Sequence, residues 1–115
     1  MKQVTLNSIG RLHLEMFLGS QKGTARELQS IVGAMDKIAL TDAEKGSCGL
    51  QASGQIIRWD REGMDSIPPA TIDLENAEFD TVKNLLERST EYTANDYKAW
   101  LAAVLDGLHT ASNSR

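Results

Sequence analysis

Gly54-Gln55-Ile56-Ile57-Arg58-Trp59-Asp60 is the clearest strand-like stretch in a chain of 115 residues whose other apolar side chains mostly recur at helical spacing. β-branched and aromatic residues favour a pleated, half-buried surface, and Gly54 with residues 63–69 bounds a short extended element. The stretch divides two helical halves. Upstream of it, Thr24 caps a helix in which Leu28, Ile31, Val32, Met35 and Ile38 form an apolar stripe opposite Arg26, Glu27, Gln29, Ser30 and Lys37. Gly33 interrupts that stripe at a cost of about 1 kcal/mol relative to Ala and is read as tolerated. A shorter helix precedes it, opened by Asn7 or Ser8 and running through Ile9, Leu12, Met16 and Phe17 to Gly19. Before that helix, Val4 and Leu6 alternate with polar neighbours as a short edge strand. Thr41-Asp42-Ala43-Glu44 has the spacing of a capping box and predicts a turn or two of helix before Gly46, Ser47 and Gly49.

Downstream, residues 61–69 read as a connection, and Thr71-Ile72-Asp73-Leu74 offers a second alternating strand, expected to pair antiparallel with residues 55–59. Two strands are marginal alone, so the pair must lie on helices or gain residues 4–6 as a third. Residues 73–76 supply a cap for a helix carrying Phe79, Val82, Leu85 and Leu86. Thr93 with Asp96 opens the last helix, whose stripe is Tyr97, Trp100, Leu101, Val104, Leu105 and Leu108, and residues 110–115 read as a flexible polar tail. The expected fold is α+β: a mainly helical single domain over residues 1–115, with a small antiparallel sheet of two or three strands packed on helices. Leu28, Ile31, Met35, Trp100, Leu101 and Val104 are expected in one core, because the two strongest stripes need apolar partners.

With 41% hydrophobic and 24% charged residues, the composition is that of a globular chain and not a disordered one. Cys48 is the sole cysteine, so no internal disulfide forms. The start, Met1-Lys2-Gln3-Val4-Thr5, lacks the apolar core of a signal peptide, and no run approaches the roughly 18 apolar residues of a membrane span. A cytoplasmic location without membrane attachment is the expectation. The net charge of −4 is unevenly spread: residues 60–96 hold ten Asp/Glu against three Lys/Arg, whereas residues 1–59 hold five against seven. A duplex-binding protein gathers Lys and Arg on one face, so nucleic acid is not expected as the principal ligand.

The acidic segment supplies the first candidate site. Asp73, Glu75, Glu78 and Asp80 together can meet a basic protein surface, although a solvated acidic face is the simpler reading. Their spacing matches no calcium loop, and no metal or other cofactor is expected. The second candidate is the turn Gly19-Ser20-Gln21-Lys22-Gly23-Thr24-Ala25-Arg26. There Lys22, Gly23, Thr24 and Arg26 stand at a helix start, where free amides and the dipole attract anions. It departs from the phosphate-loop pattern because Thr24 follows Gly23 with no intervening Lys. His13 and His109 belong to no pair or acid–base constellation. His13 reads as a surface or partly packed residue, and His109 as a complement to the dipole at the end of the last helix. Trp59 and Trp100 read as core or rim aromatics. No catalytic residue is identified.

In order, the chain shows Arg11-Leu12 in a short apolar helix, Leu40-Thr41-Asp42-Ala43-Glu44, the Gly54-to-Trp59 stretch, Ile72-Asp73-Leu74-Glu75 and two helices. Over roughly residues 4–106 this resembles small proteins of unknown function encoded by bacteriophages and prophages. Those proteins carry an Arg-Leu helix, a Leu-Thr-x-x-Glu turn, a Gly-x-hydrophobic-x-Trp strand and a helical C-terminus. The resemblance implies a phage setting and transfers no catalytic residue. The expected function is therefore that of a noncatalytic accessory protein binding a host or phage protein, with inhibition of a host defence system as the specific case. A virion or assembly component, and a binder of small anionic ligands at residues 22–26, are the alternatives.

Overall fold

The structure, a computed structural model, describes residues 1–53 and 56–113. In chain order these form β1 (Lys2–Leu6), α1 (Ser8–Gly19), α2 (Ala25–Ile38), α3 (Asp42–Ser47), β2 (Gln51–Ser53), β3 (Ile56–Arg58), α4 (Arg61–Ser66), β4 (Ala70–Leu74), α5 (Asn76–Arg88), α6 (Ala94–Asp96), a π-helical turn (Tyr97–Leu101), α7 (Ala102–His109) and β5 (Ser112–Asn113). The fold is α+β and mainly helical, as the periodicities predict. Gly54 and Gln55, at the head of the strand-like stretch, lie outside the described residues.

The sheet is wired differently from expectation. Its order is β4-β1-β5, all antiparallel, with Val4 opposite Ile72, Gln3 opposite Asp73 and Gln3 also opposite Ser112. Residues 4–6 are thus central, not an edge. The strand-like stretch pairs instead with its upstream neighbour, Ala52 opposite Ile57, in a separate two-stranded sheet. Alternation explains the choice. β1 and β4 both alternate, so their register puts Val4, Leu6, Ile72 and Leu74 on one buried face and leaves Thr5, Thr71 and Asp73 exposed. A one-residue slip would expose the whole apolar set.

Two further expectations are corrected. Residues 61–66 are helical, because the Asp60 side chain accepts a hydrogen bond from Gly63 N at 2.8 Å and Met64 is buried on the inner side. Ser112 and Asn113, read as part of a tail, add the third strand. The last helix keeps its Thr93 cap but contains the π-helical turn, in which Ala102 N bonds Tyr97 O. An i→i+5 bond adds a residue to the turn. Tyr97, predicted on the apolar stripe, is accordingly 54% exposed while Trp100 and Leu101 remain buried.

The main core collects the inner face of the sheet with α1, α2, α5 and α7. It contains Ile31, Trp100, Leu101 and Val104, with Leu28 and Met35 half-buried against it, as expected from the stripes. Gly107 matters here, since a Cβ on it would stand 2.5 Å from the Thr5 carbonyl oxygen where α7 crosses β1. Gly33 is not merely tolerated either: the Glu78 carboxylate occupies the space a side chain would need. A second cluster, Leu12, Leu40, Cys48, Met64 and Ile67, gathers side chains of α1, α4 and the adjoining loops, with Ile9, Leu50 and Trp59 packed against it.

Candidate functional site

The acidic candidates sit at the β4–α5 junction, and the structure separates them by role. Asp73 is exposed on β4, Glu75 is exposed at the cap position of α5, and Asp80 is exposed on the next turn. Asp73 does not cap the helix; the chain is still extended there. Glu78 is drawn inward. Only 8% exposed, it accepts from Lys37 Nζ at 2.6 Å and from Glu75 N at 2.8 Å, so it ties α5 to α2 and satisfies an amide at the helix start. Three carboxylates therefore face solvent, and among the described residues none of the three is in an ion pair.

The residues at 22–26 behave as a capped turn. Thr24 Oγ1 accepts from Glu27 N at 3.2 Å, and Lys22, Gly23, Thr24 and Arg26 are all exposed. The Glu27 carboxylate folds back to within 2.5 Å of where a Cβ on Gly23 would stand, putting a negative charge against the turn that an anion would approach. Lys22 alone turns toward a cleft of about 740 Å³ between the ends of α1 and α5. Phe17, Tyr92 and Trp100 form its aromatic side, with ring centroids 5.9–6.4 Å apart, so the rings touch one another and leave no slot between them. Lys22 and Arg88 bring positive charge to the lining, and Glu91 and Asp96 bring an equal negative charge. The Tyr92 hydroxyl donates to the Leu86 carbonyl at 3.1 Å, and burial pushes its pKa up.

The most elaborate polar cluster was visible in the sequence only as two separate motifs. Arg11 of the Arg-Leu helix, 4% exposed, donates through Nη1 and Nη2 to both carboxylate oxygens of Glu44, at 2.8 and 3.0 Å. Glu44 is the glutamate of the Leu-Thr-x-x-Glu turn. Arg11 also donates from Nε to the Ile38 carbonyl and from Nη2 to the Ala39 carbonyl, each at 2.9 Å, satisfying the end of α2. Glu44 completes the capping box of α3, accepting from Thr41 N at 2.9 Å. The hydrogen bonds from Arg11, with that from Thr41 N, lower the Glu44 pKa from 4.5 to about 2. Every donor of this guanidinium that is bonded serves the chain itself, so the cluster is a clamp joining α1, α2 and α3.

His13 lies in an aromatic line that spacing did not reveal. Its ring stacks on Trp100 at 5.7 Å and 12°, meets Trp59 edge-on at 6.0 Å and 89°, and donates from Nδ1 to the Ile9 carbonyl at 3.0 Å. It thereby bridges the two apolar clusters. His109 is exposed in the last turn of α7, where a protonated ring complements the dipole. Cys48 is fully buried, its thiol 3.6 Å from the Lys45 carbonyl. Among the described residues, no three His, Cys, Asp or Glu side chains are grouped to hold a metal ion, and no helix is long and apolar enough to cross a membrane. Comparison of the chain with protein-family models, curated proteins and solved structures finds no match, so the functional reading rests on the geometry above.

Proposed function

We propose that the chain is a noncatalytic accessory protein that binds another protein through the exposed carboxylates of Asp73, Glu75 and Asp80. One observation carries this reading: three solvent-facing acids, none in an ion pair among the described residues, stand on a single strand-to-helix junction. Exposed like charges raise the rate of encounter with a basic surface more than they raise intrinsic affinity. Given the resemblance to small phage and prophage proteins, the partner in this reading is a bacterial or phage protein met in the host cytoplasm, a component of a host defence system being the specific case. Affinity capture from infected cells tests it. Recovery of a host protein supports the proposal, and recovery of the chain chiefly in purified particles makes it a virion or assembly component. With a captured partner, Asp73→Asn, Glu75→Gln and Asp80→Asn together should slow association and flatten its salt dependence; unchanged rates at low and high salt reject the acidic interface. Glu78 stays untouched in this variant, because it holds α5 to α2.

The cleft supports a second reading, that of a small ligand with an anionic group near Lys22 or Arg88, against which the equal charge of Glu91 and Asp96 in the same lining weighs. A mononucleotide panel checks it directly, since saturating ligand raises the melting temperature of a protein that binds it.

A further inference from the structure

We infer that the outer edge of β4 takes up an extended segment of a protein partner as an added strand, the segment bearing lysine or arginine at every second position with apolar residues between. This rests on the acidic interface proposed above and names what that interface holds. β4 ends the strand order, and among the described residues its backbone bonds only to β1. The opposite side of β1 is closed, first by β5 and then by α7, where Gly107 meets the Thr5 carbonyl. The sheet therefore ends on one side in the two-residue β5 and on the other in the five-residue β4, the longer edge, which among the described residues keeps a row of unpaired N–H and C=O groups. Such an edge accepts an extended peptide, with main-chain bonds supplying affinity and alternate side chains supplying choice.

Charge selects the occupant. A residue directly across from Asp73 on an added strand has its Cβ about 4.5–5.5 Å away, where a Lys or Arg forms a cross-strand pair. Glu75 and Asp80 follow just beyond the strand and extend the same preference. On the other face the neighbours of the added strand are Ile72 and Leu74, which suit apolar side chains. A second copy of this chain is the poorer occupant, because pairing β4 with β4 brings a second Asp73, Glu75 and Asp80 beside the first set.

The probe is acetyl-Lys-Val-Lys-Val-Lys-Val-Lys-amide, titrated against the intact protein with amide hydrogen exchange and chemical shifts followed by NMR. The expected result is binding that protects amides of Ala70–Leu74, that weakens at least about tenfold when the peptide is N-methylated throughout and cannot donate, and that weakens when Glu replaces Lys. No binding, or equal binding by the N-methylated peptide, overturns the added strand. If both peptides bind alike yet both are lost with the Asp73, Glu75 and Asp80 variant, the acidic interface stands without the added strand; if that variant binds the parent peptide unchanged, the acidic interface falls. Protection of β4 that rises with protein concentration in the absence of peptide assigns the edge to a second copy and also overturns the inference.

Discussion

The two apolar clusters are held together by different means. The main core unites the long helices with a sheet whose two longer strands alternate, and its buried side chains include Leu14, Ile38, Leu74, Val82 and Val104, each 1% exposed or less. Among the described residues the smaller cluster has five buried members, contributed mostly by elements of six residues or fewer and by loop positions. So little apolar surface does not order short helices on its own. Polar bonds do the rest: the Arg11–Glu44 pair, Ser8 Oγ donating to the Met64 carbonyl at 2.7 Å, and Asp60 N donating to the Cys48 carbonyl at 2.6 Å. The main core should therefore fail through cavities, and the smaller region through lost charge and lost hydrogen bonds.

Removing Arg11 should break the smaller region most severely. Arg11→Ala leaves Glu44 without its partner and the last carbonyls of α2 unsatisfied, a loss of about 3–5 kcal/mol by the precedent of broken buried pairs, measurable by urea unfolding. Leu101→Ala, in the main core, should cost about 2–5 kcal/mol, with the m-value unchanged if the protein still unfolds as one unit. If Leu101→Ala were neutral, the packing account of the main core would fail. Ser8→Ala removes the donor to the Met64 carbonyl and should cost about 1–3 kcal/mol. Asp73→Asn, Glu75→Gln and Asp80→Asn together should change stability by at most about 1 kcal/mol, since those side chains serve neither cluster. A larger loss would show that they are structural.

Sequence reading succeeded where burial follows a period. The stripes at Leu28, Ile31, Met35 and Ile38 and at Trp100 to Leu108 were legible because helix and core both repeat them, although Val32, counted in the first stripe, is 51% exposed; the caps at Thr24, Thr41 and Thr93 were legible because a hydroxyl three residues before an acid satisfies a free amide locally. Partner choice was not legible. The stretch that announces β structure ends in the minor sheet, while five residues at the chain start become the centre of the larger one. Nothing local distinguishes a central from an edge strand when register with a segment nearly seventy residues away decides it. At the candidate site, the acidic cluster was legible as composition, but the inward turn of Glu78 depends on Lys37 and the gap above Gly33. The cleft was missed because its rings come from α1, the segment after α5 and the π-helical turn. The Arg11–Glu44 clamp was missed because its halves stand 33 residues apart.

Acid offers the most direct comparison of the two regions, because Glu44 belongs to the smaller one. Its pKa is lowered in the folded state, so its contribution is fully present above the ordinary value of 4.5 and is lost as pH falls toward about 2. Amide hydrogen exchange, corrected for its intrinsic pH dependence, should be followed across the molecule at neutral pH and at about pH 2.5. The account predicts that α3, α4 and the end of α2 lose protection first while α1, α5 and β1 keep theirs, and that Glu44→Gln is already deprotected there at neutral pH and changes little on acidification. Uniform loss of protection in all elements, or an acid response in Glu44→Gln equal to that of the parent, would contradict it.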